Sequence, residues 1–130
     1  TEKSFSSYKM NALVANDVFY NIKTLRVVDK FTTPGREKNS AFLGATNLEV
    51  VRIILSGSIV LSEAPKIDKN SVLYMINNAV KPTKATTYTI TLHSDAYNKY
   101  SVDEDILAAL ETKNAEFETV SASIKLAQPE

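Results

Sequence analysis

The 130-residue chain contains no cysteine, only three glycines and a single histidine. The absence of cysteine excludes disulfide frameworks, cysteine-based zinc sites and thiol catalysis. The few glycines form no glycine-rich loop of the kind that holds phosphate groups. Any general base of the histidine type would have to be His93. The sequence therefore leaves little room for the common kinds of catalytic site.

Excess charge and long apolar runs are also absent. Lysine plus arginine and aspartate plus glutamate each number 15, so the formal net charge is zero. A nucleic-acid-binding domain would show a basic excess or stripe, so we expect no nucleic-acid partner. No apolar run approaches the roughly 20 residues of a membrane-spanning helix. The chain opens at Thr1 without methionine, and we interpret it as a processed protein or the end of a longer one.

The most informative feature that is present is a segment that occurs twice. Residues 19–31 (FYNIKTLRVVDKF) return as residues 42–54 (FLGATNLEVVRII), with Phe, Leu and a Val-Val pair in the same register. Lys30 falls where the second copy has an apolar core residue, and we expect Phe31 to compensate one position later. A period of 20–29 residues is typical of leucine-rich repeats, in which each unit supplies one short strand and a turn or helix. Such units stack into solenoids.

The rest of the chain predicts helix, strand, helix and strand. Residues 68–79 have an apolar face at helical spacing and candidate N-caps at Asp68, Asn70 and Ser71. Residues 86–93 alternate as a strand does. The segment from Ser101 to Glu104 matches a capping box and predicts a helix over 105–110. Residues 117–124 predict a last strand.

Two segments resemble a known family. Residues 41–53 (AFLGATNLEVVRI) resemble one unit of the BspA-like leucine-rich repeats. Residues 68–79 (DKNSVLYMINNA) followed by 89–97 (TITLHSDAY) resemble the closing segment of leucine-rich repeat proteins from gut Bacteroides and their phages. The resemblance implies a cell-surface, secreted or virion-borne adhesive module at the C-terminal end of its solenoid. It implies no enzymatic activity and no catalytic residues.

These observations together predict the fold class and the organisation of the chain. We expect an α/β fold: a short leucine-rich-repeat-like solenoid with a parallel sheet on one face and helices or turns on the other. About four units would carry strands. Residues 1–15 would be a lead-in or N-terminal cap, residues 16–124 the repeat domain, and residues 125–130 a loose tail.

Catalytic and metal-binding groupings are weak. His93, Ser94 and Asp95 are consecutive, but adjacent side chains on a strand point to opposite faces and so form no triad. Asp103, Glu104 and Asp105 are also consecutive, and acidic residues favour the first turn of a helix for dipole reasons alone. We therefore expect that the chain is not an enzyme and that it binds neither a metal ion nor a cofactor. A small hydrolase remains an alternative, and loss of His93 would abolish its activity.

The sharper hypothesis concerns the strand residues that point away from the core. Binding of a protein or glycan is predicted for the polar positions of this row: Asp29, Arg52, Thr89, Thr91, His93, Thr119 and Ser121. An interface is predicted for its apolar positions: Val27, Phe31, Val50 and Ile54. A structural virion accessory protein, a tail or head component, is the alternative function, and these apolar positions would then form a subunit contact in a homo-oligomer. Threonine is also simply a favourable strand residue.

Overall fold

The computed structural model describes residues 7–13, 27–32, 42 and 44–129, and for the first two ranges it describes the backbone alone. The strands are β1 (Ser7–Leu13), β2 (Val27–Thr32), β3 (Val50–Ile54), β4 (Ile59–Leu61), β5 (Thr87–Leu92) and β6 (Ser123–Ala127). The helices are α1 (Lys69–Asn77), α2 (Ser94–Tyr100) and α3 (Glu104–Phe117), and a 3-10 turn covers Glu118–Val120. No helix in these ranges is long and apolar enough to cross a membrane.

The strands form two three-stranded parallel sheets, in the order β1-β2-β3 and β4-β5-β6. The mixed α/β class is therefore confirmed. The expectation that all strands share one sheet is wrong: β5 pairs with β4 and β6 rather than with β3. Strand β3 ends at Ile54, and a short segment containing Ser56, Gly57 and Ser58 follows it. Strand β4 (Ile59–Leu61) then begins the second sheet. The short strand β4 thus belongs to a different sheet from the repeat strand that precedes it.

The 23-residue spacing of the sequence repeat is the pairing register of β2 and β3. Val27 lies beside Val50, and Asp29 lies beside Arg52. The register then shifts at Lys30, so that Phe31 pairs with Ile53 rather than with Ile54. A shift of this kind inserts one unpaired residue into a strand. The irregular lysine in the repeat therefore marks a real irregularity in the sheet, and the backbone of Phe31 takes the pairing position beside Ile53.

One hydrophobic core joins both sheets and the helices. Inward side chains alternate along the strands, as period-two patterning requires. The fully buried members with the largest side chains are Phe42, Phe117, Leu48, Ile53, Leu55, Ile59, Leu61, Ile67, Met75 and Ile76. In β5, Tyr88, Ile90 and Leu92 are buried, as the alternation predicted. The Tyr88 ring meets Phe117 edge to face at 5.5 Å between centroids.

Helix α1 closes one edge of the first sheet. Asp68 is its N-cap, and its carboxylate accepts a hydrogen bond of 2.8 Å from the Ser71 N–H. Ser71 is 1% exposed. Its hydroxyl accepts from the Val51 N–H at 2.8 Å and donates to the Glu49 carbonyl at 3.4 Å. A serine side chain thereby takes the place of a neighbouring strand beside β3.

Helix α3 closes the edge of β6 in the same manner. The Asn114 side-chain oxygen accepts from the Ile124 N–H at 2.7 Å, and its amide nitrogen donates to the Ile124 carbonyl at 3.1 Å. The amide group thus supplies the donor and the acceptor that the backbone of a neighbouring strand would supply. Both sheets thus end at a helix whose polar side chain satisfies the backbone of the last strand.

Helix α3 and its surroundings differ from the sequence predictions. Asp103, not Ser101, caps the helix, because its carboxylate accepts from the N–H groups of Asp105 and Ile106. The helix continues to Phe117, and the strand begins only at Ser123, after Ser121 adopts a left-handed conformation with φ 57°. The apolar residues Ile106, Leu107 and Leu110 predict one buried face for this helix, and Leu107 instead is 47% exposed. Strand β6 runs to Ala127, into the segment expected to be a loose tail.

The N-termini of α1 and α3 are held together by an ion-pair cluster. The Lys69 ammonium lies 2.7 Å from Asp105 and 3.1 Å from Asp103. Desolvation acts to raise the pKa of Asp103, but the hydrogen bonds from Lys69, Ile106 and Asp105 outweigh it and lower the pKa below the ordinary aspartate value. The hydrogen bonds to Asp105 and Asp103 raise the pKa of Lys69.

This cluster makes stability depend on acidic pH. A carboxylate whose pKa is lower in the folded state stabilises the fold above its unfolded pKa, near 4, and loses that effect as pH falls through the folded value. For Asp103→Asn, which keeps a capping oxygen, we expect a lower Tm than wild type near pH 7 and a difference that shrinks by about pH 3. Thermal melts followed by circular dichroism test this. Glu104→Gln is the control: it removes a carboxylate from an exposed neighbouring position outside the ion-pair cluster and should change Tm near pH 7 less than Asp103→Asn does.

Candidate functional site

The second sheet has one face that faces solvent. In β5 the inward residues are buried, whereas Thr87 is exposed and Thr89 and Thr91 are half-buried. The strand register places seven described residues on this face, which we call the threonine face: Val60, Thr87, Thr89, Thr91, Ser123, Lys125 and Ala127. Each of them is half-buried or exposed. Parallel sheets are usually covered on both faces, so an open face on this one is unusual.

The chemistry of the threonine face is that of hydroxyl groups beside one cation. Thr89 pairs with Lys125, and Thr91 lies between Val60 and Ala127. The hydroxyls of Thr87 and Ser123 are 3.1 Å apart and hydrogen-bond each other. Hydroxyls both donate and accept hydrogen bonds. The face can therefore bond to polar groups of a partner while Val60 and Ala127 provide apolar contact.

The predicted binding residues do not all belong to this surface. Thr89 and Thr91 lie on the threonine face. Arg52 is exposed in β3 beside Asp29, in the other sheet. Thr119 lies in the 3-10 turn, and Ser121 is the residue with left-handed backbone conformation that follows this turn. The predicted binding residues therefore do not form a single row. That prediction assumed that all strands share one sheet and that the last strand begins at residue 117.

The predicted interface residues lie in the first sheet. Val50 and Ile54 are half-buried in β3. Val50 pairs with Val27, whereas Ile54 pairs with Thr32 because of the register shift. Phe31 is therefore placed beside Ile53 instead of beside Ile54. Among the described side chains, an outward apolar pair remains at Val50 and Ile54.

His93 has a structural role at the end of β5. It is the N-cap of α2, and its Nδ1 accepts a hydrogen bond of 3.0 Å from the Asp95 N–H. The Asp95 carboxylate lies 3.9 Å from the same nitrogen. His93 and Asp95 thus form a local helix cap, in which the Nδ1 of His93 is engaged by the backbone of Asp95.

A cleft beside the threonine face was not anticipated from the sequence. It has a volume of about 330 Å³. We call it the lysine cleft, and its lining comprises Ser56, Gly57, Ser58, Val80, Lys81, Pro82, Thr83, Lys84, Thr86, Thr87 and Tyr88. These residues belong to the loop between β3 and β4 and to the segment from the end of α1 to the start of β5. The sequence feature that could have indicated this cleft is the pair of lysines among threonines in residues 81–87.

Over the described ranges, no group of three or more histidine, cysteine, aspartate or glutamate side chains is placed to hold a metal ion. Residues 1–6, 14–26, 33–41, 43 and 130 lie outside those ranges. The described surfaces suited to contact with another molecule are the threonine face, the lysine cleft and the outward apolar pair of Val50 and Ile54.

Comparisons with known proteins add no relative: no family model, curated protein or solved structure matches the chain.

Proposed function

We propose that the chain is a non-catalytic binding module that presents the threonine face to a protein or glycan partner at a cell or virion surface. The observation that carries this proposal is the solvent-facing side of the β4-β5-β6 sheet, where Thr87 is exposed and Thr89 and Thr91 are half-buried. Because parallel sheets are normally covered on both faces, an uncovered polar one is suited to contact another molecule.

The same proposal includes a short leucine-rich-repeat-like solenoid. Two observations support it. Within each sheet, every strand pairs in parallel with the next strand along the chain, as stacked repeats do. The register of β2 and β3 equals the repeat spacing in the sequence until Lys30. The resemblance to BspA-like repeats fits this arrangement, and solenoid surfaces commonly serve in binding.

The threonine hydroxyls provide the test. We expect Thr89→Ala combined with Thr91→Ala to weaken binding about tenfold, since each lost neutral hydrogen bond costs roughly 0.5–1.5 kcal/mol. Wild-type protein would first be applied to printed arrays of glycans and of surface proteins. The dissociation constant of the best binder would then be measured by calorimetry for wild type and variant.

The matched control for this test is Thr119→Ala. Thr119 is exposed and lies outside the threonine face, so its replacement should leave binding unchanged. Equal affinity of wild type and the double variant for every array partner would contradict a role for the threonine face.

A second candidate is a structural virion component. The half-buried apolar pair Val50 and Ile54 in β3 favours it, because such residues on an outer sheet surface are suited to a subunit contact. Light scattering coupled to size exclusion separates the two functions. A monomer supports a detached binding module, and a discrete oligomer supports the structural component.

A further inference from the structure

The lysine cleft is held in shape by hydrogen bonds to the core. The Val80 N–H donates to the Leu55 carbonyl at 2.7 Å, and the Tyr88 hydroxyl donates to the Val80 carbonyl at 2.8 Å. On the opposite wall, the Ser58 hydroxyl accepts from the Thr89 N–H at 2.9 Å. Both walls are thus fixed to strand β5 or to the end of β3. A cleft held in this way needs little reorganisation to receive a ligand.

The charge in the cleft is positive only. Lys81 and Lys84 line it, and no carboxylate side chain does. Of the other described lysines, Lys69 and Lys113 are in ion pairs, Lys66 donates to Asn47, and Lys99 lies over the Tyr100 ring. Among the described residues, Lys81 and Lys84 have no such partner. Because the whole chain has zero formal charge, attraction of an anion at this place would be a local property of the cleft.

The remaining lining indicates what else the ligand carries. The cleft volume of about 330 Å³ falls at the small end of ordinary ligand sites. Ser58, Thr83, Thr86 and Thr87 line the cleft, and hydroxyl side chains can both donate and accept hydrogen bonds. Tyr88 as a whole residue is only 4% exposed, so recognition relies on hydroxyls and charge rather than on aromatic stacking. A small polyhydroxylated anion matches this lining.

We propose that the lysine cleft binds an acidic saccharide, whose carboxylate or sulfate group pairs with Lys81 and Lys84 and whose hydroxyls bond to the surrounding serine and threonine side chains. This inference rests on the proposed binding function and names its ligand class. Thr87 belongs to both surfaces, so a longer acidic glycan bound in the cleft continues onto the threonine face.

The experiment is calorimetric titration with three defined probes at low and at physiological salt. Trigalacturonate supplies carboxylates, a heparin-derived tetrasaccharide supplies sulfates, and maltotriose is the neutral control. For Lys81→Gln combined with Lys84→Gln, we expect affinity for an acidic probe to fall at least about tenfold, because hydrogen bonds to charged groups are stronger than neutral ones. The matched control combines Lys66→Gln with Lys99→Gln, which removes the same charge from two exposed positions outside the cleft.

The possible results distinguish a failure of the lysine-cleft inference from a failure of the proposed binding function. Loss of acidic-probe binding in the cleft variant alone supports the inference, and the preferred probe identifies carboxylate or sulfate. Equal loss in both lysine variants shows general charge attraction and overturns it. Loss only in the Thr89→Ala and Thr91→Ala variant also overturns it but leaves the proposed function intact. Absence of binding of both acidic probes to wild type overturns the inference, and the array experiment then decides the proposed function independently.

Discussion

Replacing Phe117 by alanine should lower the free energy of unfolding by about 3–5 kcal/mol, the range for removal of a buried aromatic ring. Phe117 is completely buried and ends α3 against the Tyr88 ring. Its loss would leave a cavity between α3 and β5 and would remove the edge-to-face contact. Urea denaturation followed by circular dichroism measures the effect through the shift in midpoint at constant slope.

Leu107→Ala is the control for the Phe117 variant. It lies on the same helix but is 47% exposed, so we expect a change within about 0.5 kcal/mol. Similar destabilisation by both substitutions would contradict the placement of α3, since it would mean that the two side chains are comparably buried.

Replacing Ser71 by alanine should cost about 1–3 kcal/mol, more than an average surface substitution, because it leaves a buried donor without its acceptor. The Ser71 hydroxyl accepts the Val51 N–H at 2.8 Å, and the serine is 1% exposed. Alanine removes that acceptor and the weaker bond to the Glu49 carbonyl while barely changing the volume. Hydrogen exchange should show faster exchange at the Val51 amide before the core opens.

Ser101→Ala is the matched control, because Ser101 is half-buried at the C-cap of α2 and only its backbone N–H takes part in the capping bond. We expect a change within about 0.5 kcal/mol. If the Ser71 variant were as stable as the Ser101 variant, the closing of the first sheet by α1 would not depend on this hydroxyl.

The sequence was most informative where one periodic pattern determines the structure. The Val-Val pairs of the repeat align Val27 with Val50 in the sheet, and alternation in residues 86–93 identifies β5 with its buried side. Helix α1 follows from its local residues, and Asp68 is the one of the three candidate N-caps that the structure shows in that role. In each case the deciding interactions lie within a few residues or within one repeat.

The sequence was least informative where a distant backbone decides the role of a side chain. Asn114 looks like a helix terminator, yet it remains inside α3 because its amide bonds to Ile124. Strand β4 has only three residues and carries no mark of belonging to a second sheet. The lysine cleft forms between two loops that are distant in sequence, and no local pattern indicates their proximity.

The sealing of β3 by Ser71 and of β6 by Asn114 also has a consequence for the behaviour of many copies of the chain together. Exposed strand edges recruit strands from other molecules and thereby seed aggregation. At Glu49, Val51 and Ile124, the backbone groups that would template such growth are already hydrogen-bonded by a side chain of the same molecule. An incoming strand would have to displace these intramolecular bonds before it formed its own. One hydroxyl and one amide thus help to keep neighbouring copies from joining edge to edge at high concentration.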